Sequence, residues 1–536
     1  MKPTLIIFIF ALVCLASPLL ADEGHNHLGP NEKVGAVSFP TSCASSVQKP
    51  FERGVALLHS FEYEMANHQF QEVAERDPKC AMAYWGQAMS LYHQLWSRPS
   101  KDDLKHGREL LAQAAGLKPG TARESEYISA LAVFYRSSDK LEYQKRAGAY
   151  SQAMAGLYEH NPQDSEAAVF YALSLLASGH DDDKTLKNPK KAVAILTGIF
   201  DRQPDHPGVT HYIIHSCDNP AMAQLALPAA RKYAAIAPAS PHAVHMPSHI
   251  FARLGLWQDD IDSNTAALAA ADKMAAMNMH VMHHRMHSMD FLEYAYLQIG
   301  DDQKARAELD ELSSFRRQDI EKDYQDYYDD MLTGFAARYA VERRQWNEAL
   351  SLQPVAGAKP NQQVQTFWGH AVAAGHLHDA AAGREALATY ERLLEQIKKN
   401  NPKFHLSVGF ASEHKEVQAW AAYAQGKNDK ALRLLREVAN EQDKVGKGES
   451  ESPAREMLAD MLLDSNRPKE ALAEYETSLK TDPNRFNGLY GAARAAEMTQ
   501  QKEKASGYYA QLIRNCQGSS SDRMELAKAK TLVAAK

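Results

Sequence analysis

The sequence predicts an all-α fold, a solenoid of helix pairs stacked along one axis, and three features point to it. Long amphipathic stretches rich in Ala, Leu, Glu and Lys alternate with short breaks at Gly, Pro, Asn and Asp, the signature of helices with one buried face. No run of alternating apolar and polar residues of strand length interrupts them. A fixed spacing recurs in the second helix of successive pairs: a small residue, an apolar residue four later and a proline twelve after the first. Ala66, Phe70 and Pro78 show it, as do Ala192, Leu196 and Pro204, and Ala471, Tyr475 and Pro483. The small residue lets two helices approach closely, and the apolar residue fills the groove one turn later on the same face. The proline starts the next helix, where its missing N–H costs nothing.

At the N-terminus, Met1-Lys2 precede an apolar run from Leu5 to Leu15 and then Ala16, Ser17, Pro18 and Ala21. This reads as a secretory signal cleaved near Ala21, since a spanning helix needs ~20 apolar residues. No second apolar segment of spanning length follows, so the mature chain is expected to carry no membrane span and to be periplasmic or secreted. The expected organisation is a signal over 1–21, an N-terminal segment over 22–46, a solenoid over 47–515 and a tail over 516–536. Of all residues 45% are hydrophobic and 24% charged, enough apolar material for an extended core. The formal charge is −7, and −8 once Lys2 leaves with the signal, which argues against a nucleic-acid partner. Cys43, Cys80, Cys217 and Cys516 remain, in a compartment where disulfides persist. A Cys43–Cys80 bridge would tie the N-terminal segment to the second pair, but sequence alone does not assign it.

Ala471 to Ala505, Tyr475 to Tyr509 and Pro204 to Pro238 each repeat at 34 residues. With Tyr84-Trp85, Gly255 beside Trp257, and Gly300 at the aromatic and turn-glycine positions, the chain resembles tetratricopeptide (TPR) repeat proteins. The resemblance covers roughly residues 47 to 515 and implies a right-handed superhelix of about eleven helix pairs. It also implies a concave groove, lined by the first helix of each pair, that takes a protein or peptide partner. Trp85 and Met89, with Val169 and Leu173, are expected either to anchor such a peptide or, equally, to be covered by the N-terminal segment or by neighbouring helices. The stretch between Gly255 and Gly300 and the insertion Lys444 to Ser452 depart from the repeat. HYIIH together with HMPSHIFARLGLW is further similar to large exported bacterial TPR proteins of unestablished activity.

Histidines gather in matched registers of three neighbouring repeats. His211, His215 and Asp218 stand at i, i+4 and i+7, on one helix face. His211 and His215 follow Pro204 by 7 and 11 residues, and His245 and His249 follow Pro238 by the same intervals. His245 and His249 precede Gly255 by 10 and 6 residues, as Asp290 and Tyr294 precede Gly300, with His287 one turn earlier. By resemblance to TPR domains these positions face the groove, on helices whose axes are ~8–10 Å apart. One histidine on such a helix is ordinarily a satisfied polar residue. Five histidines and two aspartates in register predict a site for a transition metal (zinc, copper or iron) or for an acidic ligand, with Tyr294 beside it as a further ligand-binding residue. Met279, Met282, Met286 and Met289, alternating with His280, His283, His284 and His287, add weight to copper, although methionines also fill gaps between helices.

No HExxH, glycine-rich phosphate loop or nucleophile elbow is present. The sequence therefore points first to an exported binding scaffold whose groove carries this cluster. The alternative is a metal-dependent enzyme, a hydrolase or oxidoreductase, with an open metal position activating water or oxygen.

Overall fold

The computed structural model describes residues 28–534, apart from 30, 96–97, 137, 139–140, 180–184 and 402–407. The expected signal, and the His25-Asn26-His27 tract whose imidazoles are expected as a further possible ligand group, lie outside the described residues. Helix follows helix, with no strand among the described residues. Among the described residues twelve pairs run from Gln48–His59 with Tyr63–Arg76 to Phe486–Met498 with Lys502–Asn515. The segment expected as a tail adds a closing helix, Met524–Ala534, which buries Leu526 and Ala529.

The repeated spacing does the packing expected of it. Ala66, Phe70, Ala192, Leu196, Ala471 and Tyr475 are all buried. A Cβ on Gly86 would stand 2.4 Å from the Phe70 ring, and one on Gly491 would stand 2.2 Å from the Tyr475 ring. The aromatic residue of one pair thus seats against a bare backbone in the next. Gly255 closes its helix in the left-handed region at φ +62°, and a Cβ there would also meet the Pro483 carbonyl at 2.2 Å. Two independent constraints therefore demand glycine at this turn.

That second constraint reflects how tightly the solenoid coils. Gln48–His59 touches Pro207–Cys217 four pairs later, and Met282–Gln298 touches Phe486–Met498. Trp257 Nε1 donates to the Asn484 carbonyl at 2.8 Å, and Asn484 Nδ2 donates to the Gly255 carbonyl at 3.0 Å. Successive turns close on one another, so first-helix side chains at these contacts are enclosed, whereas further along Asp330, Gln362, Gln365 and Glu413 line a cavity of about 660 Å³.

The N-terminal segment completes this enclosure. Lys33 Nζ donates to the Ala235 carbonyl at 2.7 Å, and Ala36 N to the Asp205 carbonyl at 3.1 Å. Phe39 is fully buried among Phe51, Trp85 and Tyr127, with ring centroids 5.4, 5.6 and 4.8 Å away. Ser42 and Ala44 donate their backbone N–H groups to Glu124 and Asp77. Cys43 is bridged to Cys80. Trp85 and Met89, expected to anchor a peptide or to be covered, are therefore core residues, 1% and 2% exposed. The physical reason is that the chain's own segment supplies the apolar contact a foreign peptide would have supplied.

The bridge spans 37 residues. Its loss, by reduction or as Cys43→Ser with Cys80→Ser, should lower the stability of the N-terminal repeats by about 3–4 kcal/mol, the unfolded-chain entropy of a loop that long. Urea titration with and without reductant measures this, and coincident transitions would show that the bridge adds nothing. Among the described residues no helix is long and apolar enough to cross a membrane.

Candidate metal centre

Three neighbouring first helices position the histidines: Pro207–Cys217, the interrupted helix Pro241–His245 and Pro247–Arg253, and Met282–Gln298. Proline opens the first two at a position that needs no N–H. The Ser240 side chain caps the second helix by accepting from Ala243 N. Pro247 then breaks the second helix at Met246, so His245 and His249 sit on either side of the interruption.

The matched-register cluster resolves into two nests. In the first, one ring nitrogen from each of His211, His215 and His242 lies within 4.8 Å of the others. His211 Nδ1 stands 2.6 Å from the His59 carbonyl, which can only accept, so Nδ1 carries the proton. Burial pushes the His211 pKa down to about 3, so the ring is neutral and its Nε2 is a bare lone pair. That Nε2 faces His242 Nε2 at 3.0 Å. His215 Nε2 is buried with no hydrogen-bond partner among the described residues. Burial and the neighbouring imidazoles hold both His215 and His242 well below their ordinary pKa. Tetrahedral ligands 2.0–2.1 Å from one ion are about 3.3 Å apart, close to the 3.0 Å between His211 Nε2 and His242 Nε2.

The second nest comprises His245, His249 and His287. His245 Nδ1 donates to Asn264 Oδ1 at 2.6 Å, and Asn264 is held in that orientation because its Nδ2 donates to Asp260. His245 Nε2 is thereby bare, 3.1 Å from His249 Nε2. His249 Nδ1 donates to Asp218 Oδ2 at 3.0 Å and to Glu449 Oε1 at 3.2 Å. Arg253 binds the same two carboxylates, at 2.9 Å and 3.1 Å. Burial opposes a charge on His249, but Asp218 and Glu449 outweigh it and raise the pKa to about 10. Burial lowers His287 to about 4, helped by His249. A histidine whose other nitrogen is fixed by a carboxylate, amide or carbonyl is the usual form of a metal ligand.

Two of the expected ligands play other parts. Asp218 ends its helix as the C-cap and orients His249, and with His249 and Glu449 it forms a further group whose ligand atoms lie within 4.8 Å of one another. Asp290 is drawn away by Arg338, whose Nη2 lies 2.8 Å from its Oδ1, and by Ser450 Oγ at 3.1 Å. Tyr294 is buried and sealed from any ligand: it donates to the Glu451 carbonyl at 3.2 Å and accepts from Arg485. The insertion that broke the repeat thus folds inward, with Glu449, Ser450 and Glu451 covering the second nest. Beneath it, beside Arg253, Tyr294 and Glu449, a void of about 10 Å³ remains, room for one water.

Sequence reasoning missed His242 and Glu449. His242 precedes His245 by three residues on the same face, a spacing that could have disclosed it. Glu449 lies 200 residues from His249 and left no signal. A further buried group, His59, Glu166 and His206, fits a metal less well. Glu166 accepts from His59 Nε2 at 2.8 Å and from His206 Nε2 at 2.9 Å. His59 Nδ1 meets Tyr212 Oη, and His206 Nδ1 accepts from Val209 N. Every ring nitrogen is already satisfied.

The recurring alanine–aromatic registers and the stacked pairs decide the architecture. The fold is a tetratricopeptide-type solenoid. Among solved structures the chain is similar to the Cut9–Hcn1 hetero-tetramer of the APC/C, at 14% identity over 85% of this chain and 78% of that one, with TM-score 0.33. It is also similar to a tetratricopeptide repeat protein from Parabacteroides merdae, at 12% identity over 55% and 98%, with TM-score 0.27. The TPR domain of P58(IPK) aligns at 13% identity over 92% and 99%, with TM-score 0.20. No family model and no curated protein matches the chain.

Proposed function

We propose that this chain is an exported TPR-type scaffold that holds transition-metal ions in two largely enclosed tri-histidine nests. One observation carries the reading: the first nest presents three imidazoles, with His211 and His242 buried and His215 half-buried but with its Nε2 enclosed. A shared proton could bridge His211 Nε2 and His242 Nε2, but it would leave His215 Nε2 unsatisfied, whereas a cation is bound by all three. The all-imidazole donor set suits zinc or copper, and iron less well without a carboxylate in the shell. The neutral rings of the first nest weigh against an acidic ligand there, and in the second nest the charge on His249 is already matched by Asp218 and Glu449. The Cys43–Cys80 bridge supports export to an oxidising compartment. The solenoid's outer faces remain available to a protein partner.

Metal analysis of the full chain, purified without a histidine tag or chelating column, should find about two transition-metal ions per chain. Protein that is metal-free as isolated and binds neither zinc, copper nor iron on reconstitution would reject the reading. Three protein ligands leave a fourth position open at each ion, the arrangement of catalytic zinc sites. This favours a metal-dependent hydrolase or oxidoreductase as the second reading. A substrate screen on the metal-loaded protein, with the metal-free protein as control, tests it.

A further inference from the structure

The nests are closed on two sides. Phe61 covers the first, its ring centroid 4.4 Å from that of His211 and 5.6 Å from that of His242. The insertion carrying Glu449 covers the second. On the remaining side a graded series of donors runs from solvent inward. His280 is 71% exposed and lies 3.9 Å from the exposed carboxylate of Glu64. His283 and His284 follow at intermediate burial, with ring centroids 5.5 Å apart. There the series forks. His284 is 6.4 Å from His242 of the first nest, while His283 is 6.0 Å from His287 of the second. Partly exposed Met279 and Met282 flank the series. Glu321 accepts from Met282 N through Oε1, and its buried Oε2 has no hydrogen-bond partner among the described residues.

We infer that His280, His283 and His284, with Glu321 beside them, form the uptake route by which a soft or borderline metal cation reaches both nests. The inference rests on the proposed function. Neighbouring imidazoles, as His283 with His284, His284 with His242 and His283 with His287, let an ion exchange one ligand at a time, without passing naked through an apolar wall. Thioethers alongside favour copper(I) among the ions such a route would carry. The fork accounts for one mouth serving two nests.

The test is the rate at which metal-free full-length protein takes up Zn²⁺, or Cu⁺ supplied from a chelate, in stopped flow. His283→Gln with His284→Gln should slow uptake into both nests at least about tenfold while the final metal content stays unchanged, and His280→Gln alone should slow it less. Circular dichroism of the variants confirms folding, and His376→Gln, remote from the nests, should load like wild type. Unchanged uptake rates in the double variant would overturn the route and leave the nests standing. A fall in final metal content would make these residues ligands and overturn it equally. Wild type that takes up neither ion would overturn the nests themselves.

Discussion

Glutamine in place of both His211 and His245 should empty the two nests, from about two bound ions per chain to none, with helix content retained. Read from sequence, both histidines face a groove and could be cut to alanine at little packing cost. The structure buries them at 0% and 3% exposure, so alanine would leave a cavity and also strip the His59 carbonyl and Asn264 of a donor. Glutamine keeps most of the volume and an amide donor while removing the imidazole. His211→Gln alone should empty only the first nest, and Asp290→Asn should empty neither, because Asp290 is held by Arg338 and Ser450. Asp218→Asn should weaken the second nest by about 10- to 100-fold, the usual cost of losing a carboxylate that orients a ligand. A chelator should lower the thermal midpoint of wild type and leave the double variant unmoved. An ion present at a hundred times its dissociation constant adds about 2.7 kcal/mol to the folded state. Undiminished metal in the double variant would refute the assignment.

Removal of the Arg485 guanidinium is expected to be the most damaging single change to the C-terminal repeats. Arg485 is fully buried and binds Glu342 Oε1 at 2.6 Å and Glu456 at 2.9 and 3.0 Å, and it also donates to Tyr294. Burial works against the Glu342 carboxylate, yet Arg485 and the Ser452 hydroxyl hold its pKa down at about 2. Arg485→Ala would leave this carboxylate buried beside Glu456 with no cation. Breaking a buried pair from one side costs about 3–5 kcal/mol. Because a solenoid opens in segments, the loss should appear as hydrogen exchange in Ala454–Asp464 and Phe486–Met498 while Gln48–His59 stays protected. Arg485→Met combined with Glu342→Gln and Glu456→Gln should recover part of the loss, since no charge is then stranded. A change below about 1 kcal/mol in Arg485→Ala would show that water or rearrangement rescues the acids.

The sequence by itself determined the helical repeat and the alignment of the histidines. Periodicity is a local property: Ala66 with Phe70, Ala471 with Tyr475, and the prolines at N-terminal turns specify their helices and contacts within neighbouring pairs. The same locality put His211, His215, His245, His249 and His287 on adjacent first helices. Only the tertiary structure decided that they divide into two nests, that His242 completes one of them, and that Asp218 and Asp290 orient or bypass the site. Those outcomes depend on residues brought from afar. Glu449 and Arg485 arrive because the superhelix closes within a few repeats, and Phe39 arrives because the N-terminal segment lies across the first pairs and hides Trp85 and Met89. Superhelical pitch is the sum of small rotations between pairs, fixed by packing such as Gly255 against Pro483. No single repeat encodes that sum, so an open groove along the whole solenoid was the natural expectation from sequence and histidine nests enclosed where distant turns meet are what the packing made.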